Sequence, residues 1–317
     1  MISGLLSALG AGLLWGLVFV TPLVLDDYPG LMLSIGRYIA FGLLALGLAW
    51  FDRRALARLG RADWIEAFKL AAIGNLLYYT TLSSAIQLAG APLPTLMIGT
   101  LPVVIAVCAN LIDRRTAGGG VQWRRLALPL AVMLGGLLLV HADTTRGATA
   151  SDHDAGGYLL GVALALCALG CWTWYPIRNS RWLRARGHGL SRAWATAQGL
   201  ATLPLAVFAA LGFALWDDLT ATPGAGFAWP LGPRPTLFVV MMFALGLAAS
   251  WLGTLLWNHA SARLPAALVG QLIVFETLSA LLYAFVWYQR WPSAAEAAGI
   301  ALLTIGVLLG VRIFRRS

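Results

Sequence analysis

The sequence is short of charge. Only 11% of its 317 residues are Asp, Glu, Lys or Arg, and 60% are hydrophobic; an ordinary soluble domain carries about 25% charged residues. So little polar surface cannot cover a water-exposed globule of this size, which leaves the bilayer as solvent. Lysine is nearly absent: of 22 basic residues, all but Lys69 are Arg. The three cysteines, Cys108, Cys167 and Cys171, fall inside apolar runs, so neither a disulfide framework nor a zinc site is expected. There is no P-loop, which removes direct ATP drive. No enzyme constellation is visible, and no cofactor or metal is expected. His141, Asp143, Asp152, His153 and Asp154 crowd one connection and read as a solvated polar loop.

Long apolar runs take the place of what is missing. Ten stretches of about 17–24 residues are long enough to span a bilayer: 3–21, 31–50, 67–89, 93–112, 126–141, 156–176, 192–215, 236–257, 265–287 and 293–313. The first begins almost at Met1 without a basic leader, so it reads as a retained span. The formal charge of +9 does not mark a nucleic-acid binder. The basic residues sit in short clusters between apolar runs rather than along one stretch that could track phosphates. With the N-terminus inside, eighteen of them fall in inner segments and four, Arg37, Arg146, Arg234 and Arg290, in outer ones. That asymmetry orients the chain with both termini cytoplasmic. Arg37 reads as an outer-leaflet anchor that snorkels, with a role in a gate as the alternative. Trp50, Trp64, Trp123, Trp182, Trp216, Trp229, Trp287 and Trp291 cluster at span ends as interfacial anchors.

The chain also repeats. Sliding it by 175 residues sets "AIQLAGA" (85–91) on "ASARLPA" (260–266) and pairs Leu101 with Glu276 and Pro102 with Thr277. "LGGLLLV" (134–140) resembles "TIGVLLG" (304–310), and Trp15 with Pro22 matches Trp172 with Pro176. Residues 1–145 and 146–317 each hold five spans. Because five is odd, the second half enters the membrane from the opposite side. The expected fold is an all-α polytopic membrane protein, ten transmembrane helices in two five-helix inverted-topology repeats.

With this layout go "GLLWGLVFV" (12–20), "IGRYIAFGLLAL" (35–46), "TLMIGTLPVVIAV" (95–107) and "AAGIALLTIGVLLG" (297–310). The chain resembles the drug/metabolite transporter superfamily in its EamA branch. Within that branch it is most similar to bacterial aromatic amino-acid exporters of the YddG type. Two features depart from the family: Thr277 rather than Pro follows the acid of span nine, and Gln289–Arg290 replace the usual Glu at its end. The resemblance implies alternating access, with two bundles rocking around a central cavity and no chemical step.

The residues supply parts for such a device. Glu276 is the one charge between Pro265 and Trp287. Ionised and facing lipid it would cost about 3 kcal/mol or more, so it faces the interior. There it either bonds a neighbouring helix, binds an ammonium group or carries a coupling proton. Glu276, Ser279 and Tyr283 form a polar stripe at i, i+3, i+7, and Asn75, Tyr78 and Tyr79 share a face of span three. Trp15, Trp172 and Trp251 lie within spans and either line the cavity or pack helices. Pro22, Pro102 and Pro176 are candidate hinges or gates, each removing a backbone hydrogen bond. Small residues four apart, such as Ala8, Gly12 and Gly16, allow close helix packing.

The expected substrate is a small molecule, an amino acid of aromatic or bulky hydrophobic type or a related metabolite, exported across the bacterial inner membrane. The alternative is a multidrug exporter of lipophilic cations, which would use the same acid. A phosphate-bearing substrate would need Lys or Arg in mid-membrane, and the sequence shows none there. Nothing requires an oligomer.

Overall fold

The computed structural model describes residues 2–89, 92–101, 103–105, 107–108, 111, 122–147, 155–186, 188–220, 227–287 and 289–315. Pro102 and the loop residues Asp152, His153 and Asp154 lie outside these. Among the described residues there is helix and no strand, as expected where no water can satisfy an open backbone.

The chain opens with α1 (Ile2–Val24) and α2 (Gly30–Leu56). Then α3 (Arg61–Lys69) passes through a π-helical segment, Leu70–Leu77, into α4 (Tyr78–Ala89). Next come α5 (Pro92–Gly99), α6 (Trp123–Gly147), α7 (Ala155–Arg186) and α8 (Ser191–Thr220). A second π-helical segment, Gly246–Leu252, joins α9 (Pro235–Leu245) to α10 (Gly253–Arg263). The chain then forms α11 (Ala266–Leu272), α12 (Val274–Trp287) and α13 (Ala294–Arg315). Among the described residues, six helical runs are long and apolar enough to cross a membrane: Ile2–Val24, Gly30–Leu56, Gly156–Arg186, Ser191–Thr220, Pro235–Arg263 and Leu268–Trp287.

Local sequence sets several boundaries. Proline opens α5 and α9 and immediately precedes α2 and α11, where its missing N–H is no loss. At the start of α13, Ser293 and Glu296 cap each other's backbone N–H groups at 3.1 and 2.8 Å, a capping box. Glu296 also takes both guanidinium arms of Arg290 at 2.7 Å. The Gln289–Arg290 departure thus joins the clasp that begins the last helix.

The bundle is built from helix pairs. α1 packs on α12 and α10, α2 on α8, α4 on α7, and α6 on α13. The α2–α8 pair runs antiparallel, since Gly42 abuts Leu203 while Gly199 abuts Ala45. The small-residue stripe of α1 does what its spacing predicts. A Cβ on Gly12 would lie 2.8 Å from the Glu276 backbone nitrogen, and one on Gly16 would lie 2.9 Å from the Ala280 nitrogen. Gly12→Val therefore has to push two backbones apart, at about 1–3 kcal/mol. Its melting temperature in detergent should fall, whereas Gly47→Val, where nothing lies within 4 Å, should melt like the parent.

Proline inside α1 has a local consequence. Pro22 leaves the Val18 carbonyl without its helical donor. The Tyr79 hydroxyl, from α4, reaches that carbonyl at 3.4 Å, so a side chain of another helix stands in for the lost bond. Pro176 lies inside α7, which continues to Arg186. Not every tryptophan at a span end is an interfacial anchor. Trp50, Trp216, Trp287 and Trp291 are exposed, but Trp182 stacks on Trp194 and gives its indole N–H to Asp63 at 2.9 Å.

Candidate functional site

Helices from both ends of the chain meet around one aromatic cluster. Trp172 of α7 stacks on Tyr78 of α4 at 4.5 Å between ring centres and on Tyr175 at 5.0 Å. Trp15 of α1 meets Trp172 edge-on at 5.0 Å and Trp257 of α10 at 5.0 Å. All five rings are buried. Each contact of this kind contributes about 0.5–1.5 kcal/mol beyond area burial, so the cluster ties α1, α4, α7 and α10 together.

Glu276 enters the cluster from the first turn of α12, where it is 2% exposed. Its Oε2 accepts the Trp172 indole N–H at 3.2 Å. The chain breaks just before it: Ile273 interrupts the helix between α11 and α12, with Glu276 N–H bonded to the Ile273 carbonyl at 2.9 Å. A second break falls at Thr100, just after α5, where the Thr100 hydroxyl caps the Met97 carbonyl at 2.6 Å. Interrupted helices at membrane depth are tolerated where they are buried in protein or line a cavity.

Arg37 departs most from its expectation. It is no snorkelling anchor; it is 5% exposed. It lies seven residues into α2, about 10 Å below the helix start. Its guanidinium sits 4.7 Å from the ring centre of Tyr79 and 5.1 Å from that of Tyr38. Its Nε–H donates to Ser250 at 2.9 Å, while Nη1 is buried without an acceptor. The chain thus does carry a cation inside the bundle. The ring contacts stabilise it as cation–π pairs worth up to about 2 kcal/mol when desolvated.

The remaining expected residues divide. Trp15, Tyr78, Trp172 and Glu276 come together, while Tyr79 packs against Arg37 and Tyr38. Asn75 is buried in the first π-helical segment and donates to Thr202 of α8 at 3.2 Å, outside the cluster. Trp251 is not in it either: its indole N–H donates to Thr196 at 3.2 Å. Ser279 and Tyr283 face α1 instead. Ser279 bonds the Phe275 carbonyl at 2.6 Å and its Cβ sits against Gly16; the Tyr283 hydroxyl donates to the Leu13 carbonyl at 2.8 Å. Sequence reasoning missed Trp257, Tyr175 and Tyr38, whose depth within their spans is shared by many packing aromatics.

Beyond Tyr175 runs a saturated chain of buried amides. The Tyr175 hydroxyl donates to Gln198 at 2.7 Å, Gln198 to Asn179 at 3.3 Å, and Asn179 to Asn258 at 2.8 Å. Past it, three arginines of α7 and α8 hold carboxylates of α2 and α3. Arg178 takes Glu66, Arg186 takes Asp63 and Arg192 takes Asp52, at 2.5–2.6 Å. At the opposite end Arg234 pairs with Asp26 and Asp27 in a more exposed setting.

An interior that holds an acid, a cation and flat rings inside apolar helices suits the handling of a small solute within a membrane bundle. Comparison with known proteins gives the class: residues 2–141 match the EamA-like transporter family. Over 314 residues the chain is 48% identical to the inner membrane protein YtfF of Escherichia coli (strain K12), covering 98% of this chain and 96% of that protein. The chain belongs to the EamA-like transporter family. A crystal structure of a protein 21% identical in sequence superposes with a TM-score of 0.70 over 99% of both chains, a likeness of fold.

Proposed function

We propose that the protein is a secondary transporter that exports amino acids, aromatic or other bulky hydrophobic ones, and related small metabolites. It works by alternating access in the inner membrane, the location carried in the name of the relative YtfF. The observation that carries this reading is the Trp172–Glu276 bond, an acid held in an aromatic cluster where the two ends of the chain meet.

The two π-helical segments support the inverted repeat of residues 1–145 and 146–317. An offset of 175 carries Leu77 to Leu252 and Tyr78 to Gly253, the end of one segment onto the end of the other. Trp172 stacks on Tyr78, and the Trp15 indole lies against Gly253. The same offset carries Asn75 to Ser250. Asn75 bonds α8 and Ser250 bonds α2, so each half holds the other in the same way. The breaks at Thr100 and Ile273 are a further matched pair, and such pairs accompany midplane binding sites. Ten spans with both termini cytoplasmic fit the arginine distribution. Pro22 and Pro176 then sit toward opposite faces as hinges.

A lipophilic-cation exporter would use Glu276 as well. The buried charge of Arg37, which acts on Glu276, works against a lone cation in the same place. Counterflow into liposomes preloaded with Phe, Trp, Met, Thr or a lipophilic cation, with and without a pH gradient, tests the reading. Amino-acid uptake without cation uptake is the expected result. Cation uptake alone overturns it.

A further inference from the structure

Arg37 and Glu276, a cation and an anion both buried in the bundle, are not bonded to each other. Arg37 gives only its Nε–H to Ser250 and keeps Nη1 buried with no acceptor. The Tyr78 hydroxyl is likewise buried and lies beside the Glu276 carboxylate, within reach of the charges of both Arg37 and Glu276. Glu276 is occupied on one oxygen by the Trp172 indole. Buried donors without acceptors are costly, charged ones most of all. The orphan charged donor, Arg37 Nη1, calls for an anionic acceptor supplied from outside the chain.

Building on the transporter reading, we infer that the ligand is a zwitterionic α-amino acid held by both charges. Its carboxylate is taken by Arg37 Nη1, and its ammonium by Glu276. The planar guanidinium matches a carboxylate, and its contacts with Tyr38, Tyr79 and Ser250 fix its orientation before the ligand arrives. A simple cation meets repulsion from Arg37, and a simple anion meets it from Glu276. An α-amino acid carries both charges one carbon apart and suits a buried pair that is unjoined.

The test is counterflow of labelled phenylalanine by the full-length protein in liposomes. The competitors are unlabelled phenylalanine, its methyl ester, which lacks the carboxylate, and 3-phenylpropionate, which lacks the ammonium. Each analogue should compete about 10–100-fold more weakly than phenylalanine, the cost of one charged hydrogen-bonding partner. In Arg37→Gln the gap between phenylalanine and the ester should collapse, while the gap to 3-phenylpropionate persists. Equal competition by ester and amino acid on the unaltered protein overturns the two-charge site and leaves the transporter reading standing. Absence of phenylalanine flux in the unaltered protein overturns that reading and this inference with it. Should Arg37→Gln fail to fold, the competitor series on the unaltered protein still decides.

Discussion

Glu276→Gln should leave the protein folded and abolish or uncouple amino-acid counterflow. Gln keeps the shape of the acid, and its amide oxygen can still accept the Trp172 indole N–H that Oε2 accepts at 3.2 Å. The stack of Trp172 on Tyr78 and Tyr175 therefore has no reason to move. The negative charge is lost, and with it the group proposed to hold an ammonium or carry a coupling proton. A charge-assisted hydrogen bond of about 1.5–3 kcal/mol corresponds to about 10–100-fold in transport at limiting substrate. The check is counterflow beside gel filtration and thermal melting of the same preparation. A merely structural acid, bonded to Trp172 and nothing else, would leave flux and its pH dependence intact on substitution.

How much of this was legible in the sequence depends on what the bilayer enforces. Helices were legible because an apolar run of span length has one backbone solution in lipid. Glu276 was legible because a lone charge in such a run must face inward. The Gly12 and Gly16 stripe was legible because only small residues admit a backbone at the approach found for Phe275 and Glu276. Rotational phase was not. A span apolar on all sides does not say which face meets protein, so Arg37, seven residues from a helix start, read as a snorkelling anchor. Its seat between Tyr38 and Tyr79 depends on long-range packing.

The π-helical segments erased phase information further. One extra residue in a turn rotates everything beyond it by about 100°, and no residue type in "LAAIGNLL" or "GLAASWL" announces it. Trp251 lies inside such a segment and points to Thr196 rather than to Trp15 and Trp172. The stripe Glu276, Ser279 and Tyr283 was read correctly as one face. That face packs on α1, however, and only Glu276, at its edge, reaches the aromatic cluster.

The largest conformational effect should come from the carboxylates at the arginine-rich end, cytoplasmic in the proposed topology. Asp52, Asp63 and Glu66 belong to the first half and are buried; their partners Arg192, Arg186 and Arg178 belong to the second half and are about half exposed. Every pair clasps the two halves on one side of the central cluster. At the other end, Arg234 with Asp26 and Asp27 also crosses the halves, but in water-exposed surroundings, where such pairs contribute at most about 1 kcal/mol.

The asymmetry within the pairs decides which partner to remove. Losing an arginine would strand a buried carboxylate and threaten the fold; losing the carboxylates lets the arginines relax into water and weakens only the closed form. Asp52→Asn, Asp63→Asn and Glu66→Gln together should therefore open the cytoplasmic side. A combined loss of about 3 kcal/mol would shift the population about 100-fold.

Ser261, fully buried near that end of α10 with no partner for its hydroxyl, accepts a cysteine probe at little cost once Cys108, Cys167 and Cys171 are replaced. In inside-out vesicles, an impermeant maleimide should label Ser261→Cys at least about tenfold faster in the triple variant. Asp26→Asn with Asp27→Asn should leave that rate unchanged. An unchanged rate in the triple variant as well would mean that the amide chain Tyr175–Gln198–Asn179–Asn258, not the ion pairs, holds the cytoplasmic side shut.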